Sequence, residues 1–234
     1  MATDRRGFTL TDKIEADAAP TPVRPSAGAS AFTLVDTSIY AVSDADVAAL
    51  VADYPLAWVM PRGADATQPH LLPLLARTDA TGRLVALIGH MGRRNPLVRA
   101  FAQSPDALIL FTGPQGYISN AGISNPRWAP TWAYAQLRIE ATVTLEPEGG
   151  DAALLALVEA MDAEEKTGWR PQDVGPRYRA MEQAIIAFHA DVTRVEARFK
   201  LGQDEPVDTL REILAHHPDA ALVRWMRRVN RDRL

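Results

Sequence analysis

The sequence predicts a mainly β protein with added helices, an α+β fold built around a small antiparallel barrel. Five segments between residues 56 and 146 have the apolar character of strands, and turn residues or one short helix separate them. Strands at this spacing are typical of small barrels. Residues 184–199 alternate well enough to form a long strand, which we expect to complete the barrel.

Start and stop signals define the individual elements. Ser43 precedes Asp44, Asp46 and an apolar run, which indicates an N-capped helix. This helix ends near Asp53, because the next residue precedes a proline and disfavours the helical region. The Asp-Ala-Thr-Gly sequence at 79–82 predicts a hairpin turn. The predicted strands are 56–60, 68–78, 84–90, 107–112, 131–146 and 184–199, and the other predicted helices are 93–103, 151–165, 174–183, 206–215 and 219–231.

The length of 234 residues fits one large domain with an appended helical part. Residues 1–30 are rich in Ala, Pro, Thr, Asp and Ser, so we expect a flexible N-terminal tail. Residues 31–203 are predicted to form the barrel with its inserted helices, and residues 204–234 a C-terminal helical extension.

Composition excludes several classes of function. The chain has no cysteine, which removes disulfides, thiolate catalysis and zinc–thiolate sites. A formal charge of −4 gives no global basic field for nucleic acid. Apolar runs are far shorter than the ~20 residues of a membrane span, and the N-terminus lacks the apolar region of a secretory signal. We therefore expect a cytoplasmic protein that does not enter a membrane.

The segment from Gly113 to Leu145 is the first place to look for function. Its loop carries Trp128 and leads to Trp132 and Tyr134, with Tyr117 just before it. Rings of this size usually bury most of their surface against a core, a partner subunit or a flat ligand. Two interpretations remain open: the rings stack on a planar ligand, or they pack in an interface or in the core.

A second candidate is an anion site where the third strand meets a helix. His90, Met91, Arg93, Arg94 and Asn95 lie at this junction. A helix N-terminus presents free N–H groups and a partial positive charge, and arginines add full charges, which together suit a phosphate. The alternative is a solvated pair of arginines.

Three weaker patterns complete the search. His70 and His90 on neighbouring strands lack a third ligand, so we expect no metal. Lys200 and Gln203 lie at the end of the predicted strand 184–199. They could contact a phosphate or carbonyl of a ligand, or belong to an ordinary strand end that faces water. The last predicted helix has a basic face, which could contact DNA phosphates. Alternatively, these arginines are there because positive charge is favoured near the C-terminus of a helix by its dipole. They are Arg224, Arg227, Arg228, Arg231 and Arg233.

Several of these pieces occur together in one known family. Over roughly residues 36 to 215 the sequence resembles the PaiB-type FMN-binding proteins, described as FMN-binding negative transcriptional regulators. The motifs that carry the resemblance are His70-Leu71-Leu72-Pro73, Gly89-His90-Met91 through Asn95-Pro96, Phe111-Thr112-Gly113-Pro114 through Tyr117-Ile118-Ser119, Pro130-Thr131-Trp132 with Tyr134, and Phe199-Lys200-Leu201 with Gln203.

The resemblance implies a split β-barrel of the flavin reductase and pyridoxamine-phosphate oxidase type, a homodimer that binds FMN between its subunits. It also implies roles for particular residues. The end of the strand at His90 and Met91, with the turn at Arg93, Arg94 and Asn95, would hold the phosphate. The His70–Pro73 motif would run beside the isoalloxazine, with Leu71, Leu72 and Pro73 nearest to it. Thr131 and Trp132 would approach from the other subunit, and Lys200 and Gln203 would close the site.

Three functions follow from this resemblance. The first is a flavin-binding regulator of the PaiB type, in which a DNA partner is weakly supported. The second is an FMN-dependent oxidoreductase or flavin reductase acting on a small molecule. The third is a dimeric scaffold that has lost flavin binding, since the family's Thr-Trp-Asn-Tyr is here Thr131-Trp132-Ala133-Tyr134 and the loop at residues 120–123 also departs from the family pattern.

Overall fold

The computed structural model describes residues 37–40, 42–63, 68–162, 168 and 170–234. The predicted tail at residues 1–30 lies outside this range. Six strands close an antiparallel barrel in the order β1-β2-β3-β6-β5-β4, so the predicted mainly β fold with added helices is confirmed. The strands are β1 Leu56–Pro61, β2 His70–Thr78, β3 Leu84–Gly92, β4 Asp106–Ile118, β5 Thr131–Glu146 and β6 Ile185–Lys200.

Helices fill the connections and follow the last strand. They are α1 Asp44–Asp53, α2 Pro96–Gln103, α3 Gly150–Met161, α4 Arg177–Gln183, α5 Val207–His216 and α6 Ala220–Val229, with 3-10 turns at Thr37–Tyr40 and Pro171–Val174. Among the residues described, no helix is both long enough and apolar enough to cross a membrane.

Side-chain caps start two of the helices, at the predicted position for α1 and three residues later than predicted for α2. Ser43 and Asp46 form a reciprocal capping box at the start of α1. At α2 the Asn95 carboxamide oxygen accepts from the backbone N–H of Leu97 at 2.9 Å, and Pro96 occupies the first turn. These caps fix the direction in which each helix leaves the neighbouring chain segment.

The barrel interior is a close-packed apolar core. Alternate residues of each strand point inward, and Leu74, Leu87, Phe111 and Phe188 are essentially inaccessible to solvent. Gly89 is required among them, because a Cβ there would lie 2.6 Å from Leu74 Cδ2 and 2.8 Å from the Phe188 ring. The interior therefore leaves no room for a ligand at this level, and a binding site has to lie on the outside or at an end.

Two elements differ from the predicted boundaries for identifiable reasons. β4 continues to Ile118 instead of ending near Thr112, because a register shift between Thr112 and Gln115 accommodates the Gly113-Pro114 pair within the strand. The helix predicted from Val174 begins only at Arg177, since Gly175 has a φ of 68° and interrupts it.

The last two helices belong to the same compact unit as the barrel, which spans Asp36–Leu234. Leu210, Leu222 and Trp225 are buried in the common core. The Trp225 indole N–H also donates to the Asp53 carboxylate at 3.0 Å, which joins α6 to the end of α1. Residues 204–234 thus contribute to the core.

Candidate functional site

The most distinctive feature of the barrel is a place where two neighbouring strands separate. β2 and β3 pair from Thr78 and Leu84 up to Leu74 and Gly89. Beyond that point the first residues of β2, His70–Pro73, pair with β1, and the last residues of β3, His90–Gly92, pair with β6. We call this place the strand split. It brings together the two motifs that the sequence assigns to a ligand, and α2 begins immediately beside it.

Pro73 lies at the position where β2 changes partner. It is the last residue of β2 opposite β1, where it faces Leu56, and Leu74 is the first residue opposite β3. A proline lacks the N–H that a strand in the middle of a sheet would donate. Its presence here is consistent with a strand that has only one partner at this level.

His70 contributes a buried ring nitrogen to the strand split. Asn95 Nδ2 lies 3.5 Å from His70 Nδ1, and the orientation of the Asn95 amide is set by the cap that its oxygen makes to Leu97. Because an amide nitrogen only donates, Nδ1 is the acceptor and the ring hydrogen is on Nε2. Within the described residues Nε2 is buried and has no hydrogen-bond partner. His70 therefore presents an unused donor at this place.

His90 does not supply a positive charge. Burial lowers the pKa of His90, because desolvation disfavours the charged imidazolium. The ring is therefore neutral at pH 7. Within the described residues no group of three His, Asp or Glu side chains is arranged to hold a metal ion, and His70 and His90 belong to no such cluster.

The two adjacent arginines have different environments. The Arg93 side chain donates from Nε to the Gln183 carbonyl at 2.8 Å and from Nη2 to the Pro147 carbonyl at 2.6 Å. It thereby ties the turn after β3 to the end of α4 and to the turn after β5. Arg94 is exposed and makes no hydrogen bond or ion pair with the described residues. Of the two, only Arg94 has an uncommitted guanidinium.

The apolar residues assigned to the site divide by strand face. Leu71 is 47% exposed, and it lies beside the equally exposed Trp58 of β1. Leu72 and Met91 point into the core and are buried. Of these residues, Leu71 can touch a ligand directly, whereas Leu72 and Met91 shape the surface from beneath.

A second group of predicted site residues lies where β5 begins and β6 ends. Lys200 Nζ donates to Thr131 Oγ1 at 2.5 Å. The Gln203 amide is occupied, since it accepts from the Leu201 N–H and donates to the Phe199 carbonyl. Gln203 thus closes a backbone turn, and of the residues predicted for the site at this end Lys200 and Thr131 are the polar ones whose side chains do not serve that turn.

Two aromatic rings stand out from the barrel at the same place. Trp132 is 56% exposed and Tyr117 is 52% exposed. They are cross-strand partners, with ring centroids 5.9 Å apart and planes inclined at 60°. Exposed rings of this size, held next to each other, form a ready surface for a planar ligand or a protein partner.

The two groups lie far apart within one protomer. His90 pairs with Ala187 near the beginning of β6, whereas Lys200 is its last residue. Lys200 lies 13 residues beyond Ala187 on β6, and a strand rises about 3.3 Å per residue, so about 43 Å of strand lies between them. The two groups therefore lie towards opposite ends of β6.

Some parts of the aromatic and basic patterns serve the fold. The Trp128 ring packs against the core, and its N–H donates to Glu205 at 2.7 Å, so Trp128 is not part of the exposed pair. On α6, Arg224 pairs with Asp53 and Arg228 with Asp46. Arg233 donates to backbone carbonyls of residues 202 and 205. The basic face is therefore largely engaged in intramolecular contacts.

A candidate surface that sequence reasoning missed is on β1. Leu56 and Trp58 are 53% and 45% exposed, and both point away from the core. The alternation of Leu-Ala-Trp-Val was the available signal, since a strand with buried Ala57 and Val59 must direct Leu56 and Trp58 outward. Together with Leu71 they form an apolar patch beside the strand split, which we call the β1–β2 patch.

Comparison with known proteins agrees with this architecture. The family described as "Putative FMN-binding domain" matches residues 37–194. The chain is 27% identical over 120 residues to the protease synthase and sporulation protein PAI 2 of Bacillus subtilis, a match that covers 50% of this chain and 58% of that protein. The chain thus spans a little over half the length of this relative.

A solved structure of low sequence identity shares the fold. The FAD and heme binding protein from Mycobacterium smegmatis superposes with a TM-score of 0.52 at 16% identity, over 75% of this chain and 79% of that one. The flavocytochrome Anf3 from Azotobacter vinelandii gives a TM-score of 0.49 at 13% identity, over 68% and 67% of the two chains. The predicted split β-barrel is confirmed, as is the resemblance to the PaiB-type proteins. The chain belongs to this FMN-binding domain family.

Proposed function

We propose that the chain binds FMN between two copies of itself, with the strand split of one protomer and the exposed Tyr117–Trp132 pair of the other on either side of the cofactor. The observation that carries the proposal is the strand split, where the buried His70 Nε2 and the Arg94 guanidinium, both without a partner among the described residues, lie beside an exposed apolar surface. Family membership supports the identity of the ligand, since the family's description names FMN.

The polar residues of the strand split fit a flavin nucleotide. Arg94 offers a full positive charge beside the start of α2, where a phosphate is favoured. His70 offers its Nε2–H donor, which matches the carbonyl and phosphate oxygens of FMN. A buried donor without an acceptor costs about 1–3 kcal/mol, so a ligand oxygen at this position would recover part of that cost. Arg93 and Gln203 act indirectly here, because their side chains hold backbone turns.

The apolar residues fit the isoalloxazine. Leu71 offers an exposed aliphatic surface on one side, and Trp132 offers a ring for stacking on the other. Within one protomer these surfaces belong to different ends of the barrel. Two protomers are therefore needed for one complete site, and a two-fold dimer has two such sites.

The β1–β2 patch supports the dimer. Leu56, Trp58 and Leu71 are large apolar side chains that face outward next to each other on paired strands. Contiguous exposed apolar surface of this kind marks interaction sites, and aromatic residues are enriched in the centre of interfaces. A second copy of the same barrel would cover the patch.

Bound FMN supplies hydride or single-electron transfer, and the protein supplies binding, orientation and exclusion of water. The oxidoreductase function would use the cofactor in this way on a small molecule. The regulator function needs a DNA surface, and it is less favoured because Arg224, Arg228 and Arg233 are engaged within the fold. Anaerobic NADH or NADPH bleaches the bound flavin of an oxidoreductase and leaves the spectrum of a pure binding protein unchanged.

Titration of the purified protein with FMN tests the proposal. We expect quenching of flavin fluorescence with a stoichiometry of one FMN per protomer. Trp132→Ala should weaken binding about tenfold, since an aromatic stacking contact is worth about 1 kcal/mol or more. Its free energy of unfolding should hardly change because the ring is mostly exposed. Met161→Ala at the end of α3 removes a similarly exposed apolar side chain that is not among the proposed site residues and serves as the control. A flat titration of the wild-type protein would exclude FMN binding.

A further inference from the structure

We propose that Glu205 is a positioning residue for the ligand-stacking Trp132, and that it acts by holding the loop at residues 119–130 against the C-terminal helices. The inference rests on the proposed function, because it assigns Trp132 to the flavin. It goes further in giving the C-terminal segment, which lies beyond the matched family region of residues 37–194, a role in ligand affinity.

The loop between β4 and β5 has little structure of its own to hold it. Two short turns are closed by the Ile123 N–H donating to the Asn120 carbonyl and by the Trp128 N–H donating to the Asn125 carbonyl. Ile123 and Trp128 are its partly buried apolar side chains, and both pack against the core. The loop runs directly into Thr131 and Trp132, so its position determines how β5 begins.

Three contacts join this loop to the C-terminal part of the chain. The Trp128 indole N–H donates to Glu205 Oε2 at 2.7 Å, and the Ser124 backbone N–H donates to Glu212 Oε2 at 3.0 Å. The third contact is steric, since a Cβ on Gly122 would lie 2.8 Å from the His216 ring. Both carboxylates thus accept hydrogen bonds from donors on the loop.

Glu205 is itself held firmly. Its carbonyl accepts from Arg233, and its N–H donates to the Gly202 carbonyl at 3.2 Å. Arg233 also bonds to Asn230 at the end of α6. Glu205 therefore transmits the position of α6 to the Trp128 ring, and through it to the loop.

Glu205 also lies next to the proposed ligand-binding end. The same small cavity is lined by Glu205, Thr131, Trp132 and Lys200. If the loop is already ordered in the free protein, binding does not have to supply the free energy for ordering it. The apparent affinity for the ligand decreases as the fraction of molecules with a displaced loop increases. Loss of the Trp128–Glu205 bond should therefore weaken FMN binding although neither residue need touch the flavin.

The test compares three substitutions in the full chain. Glu205→Ala removes the acceptor and should raise the dissociation constant for FMN about tenfold, the effect of losing one hydrogen bond to a charged group. Glu205→Gln keeps an oxygen acceptor of the same length and should restore most of the affinity. Trp128→Phe keeps the apolar packing but removes the N–H, and it should match Glu205→Ala. The double variant should be no worse than either single variant, because both remove the same bond.

Two further measurements separate positioning from general destabilisation. Amide hydrogen exchange of the FMN-free protein should rise in residues 119–132 of Glu205→Ala and stay unchanged in β2 and β3. Asp208→Ala, which removes an exposed carboxylate from the first turn of α5, should alter neither exchange nor affinity.

Unchanged FMN affinity in Glu205→Ala would overturn the inference. So would an affinity loss that Glu205→Gln does not restore, or one that accompanies faster exchange throughout the barrel. A wild-type protein that binds no FMN would overturn the proposed function and the positioning role together. Hydrogen exchange of the FMN-free protein would then still report whether Glu205 holds the loop. Failure of the proposed FMN binding can therefore be distinguished from failure of the contact between Glu205 and the loop.

Discussion

Replacing Arg94 with alanine is expected to weaken FMN binding about tenfold while leaving the fold as stable as before. Two unit charges about 4 Å apart attract each other by roughly 1 kcal/mol in water and about 4 kcal/mol at the effective dielectric constant of a protein surface. Because Arg94 is exposed, its contribution to phosphate binding should lie in the lower half of this range. Its side chain is exposed and makes no hydrogen bond or ion pair with the described residues, so its removal should change the free energy of unfolding by less than about 0.5 kcal/mol.

Arg93→Ala is expected to reverse this pattern, because it should lower the stability of the fold and leave FMN affinity nearly unchanged. It removes two hydrogen bonds to carbonyls, at 2.8 and 2.6 Å. Such bonds from a charged donor are worth about 1.5–3 kcal/mol each, but water replaces part of this at an exposed position. We therefore expect a loss of about 1–2 kcal/mol in the free energy of unfolding and little change in FMN affinity.

Urea unfolding and flavin titration of the two variants provide the assay. Riboflavin supplies an internal control, because it carries the same ring system without the phosphate. Arg94→Ala should weaken FMN binding and leave riboflavin binding unchanged. The reasoning is refuted if both arginine variants behave alike, or if Arg94→Ala weakens riboflavin binding as much as FMN binding.

Two further predictions concern the stability of the barrel and its docked helices. Gly89→Ala should cost about 1–3 kcal/mol of unfolding free energy, because the new methyl group would lie 2.6 Å from Leu74 Cδ2 in a packed core; a urea midpoint equal to that of the wild type would contradict this. Burial raises the pKa of Asp46, but hydrogen bonds from Ser43 and Arg228 outweigh it, so the pKa lies below its ordinary value. Stability from this carboxylate is therefore present above the ordinary pKa and disappears as the pH falls through the lowered one. Asp46→Asn should remove this part of the acid dependence, and an unchanged acid-unfolding profile would be inconsistent with the contact.

Most of the fold could be predicted from local sequence signals. The capping residue Ser43 and the proline after Tyr54 placed the ends of α1, and alternation placed the strands, whereas α2 begins at Pro96 and not at the predicted residue 93. The extension of β4 could not be predicted, because Gly113-Pro114 is typical of a turn and becomes part of a strand only when β5 pairs around the bulge. Tertiary pairing here outweighs a local preference.

The site was less predictable, since its chemistry depends on partners that are distant in the sequence. The local sequence does not distinguish the roles of the adjacent Arg93 and Arg94. Their roles differ because Arg93 binds carbonyls of residues 90 and 54 positions away in the sequence. The environment of Ala133 could not be predicted from its sequence neighbours either. It stands where the family has an Asn, but it is buried between the exposed Trp132 and the half-buried Tyr134. The difference therefore changes the packing beneath the aromatic pair, and Trp132 itself remains available on the outside.

The most direct test of the central claim is to mix two variants that are each defective in FMN binding. Arg94→Ala and Trp132→Ala impair opposite halves of the proposed site. If one site takes its halves from two protomers, subunit exchange creates mixed dimers that have one intact and one doubly impaired site, and about a quarter of all sites regain wild-type affinity. Native mass spectrometry confirms that mixed dimers have formed. No recovery of tight FMN binding in those mixed dimers would contradict a site shared between two protomers.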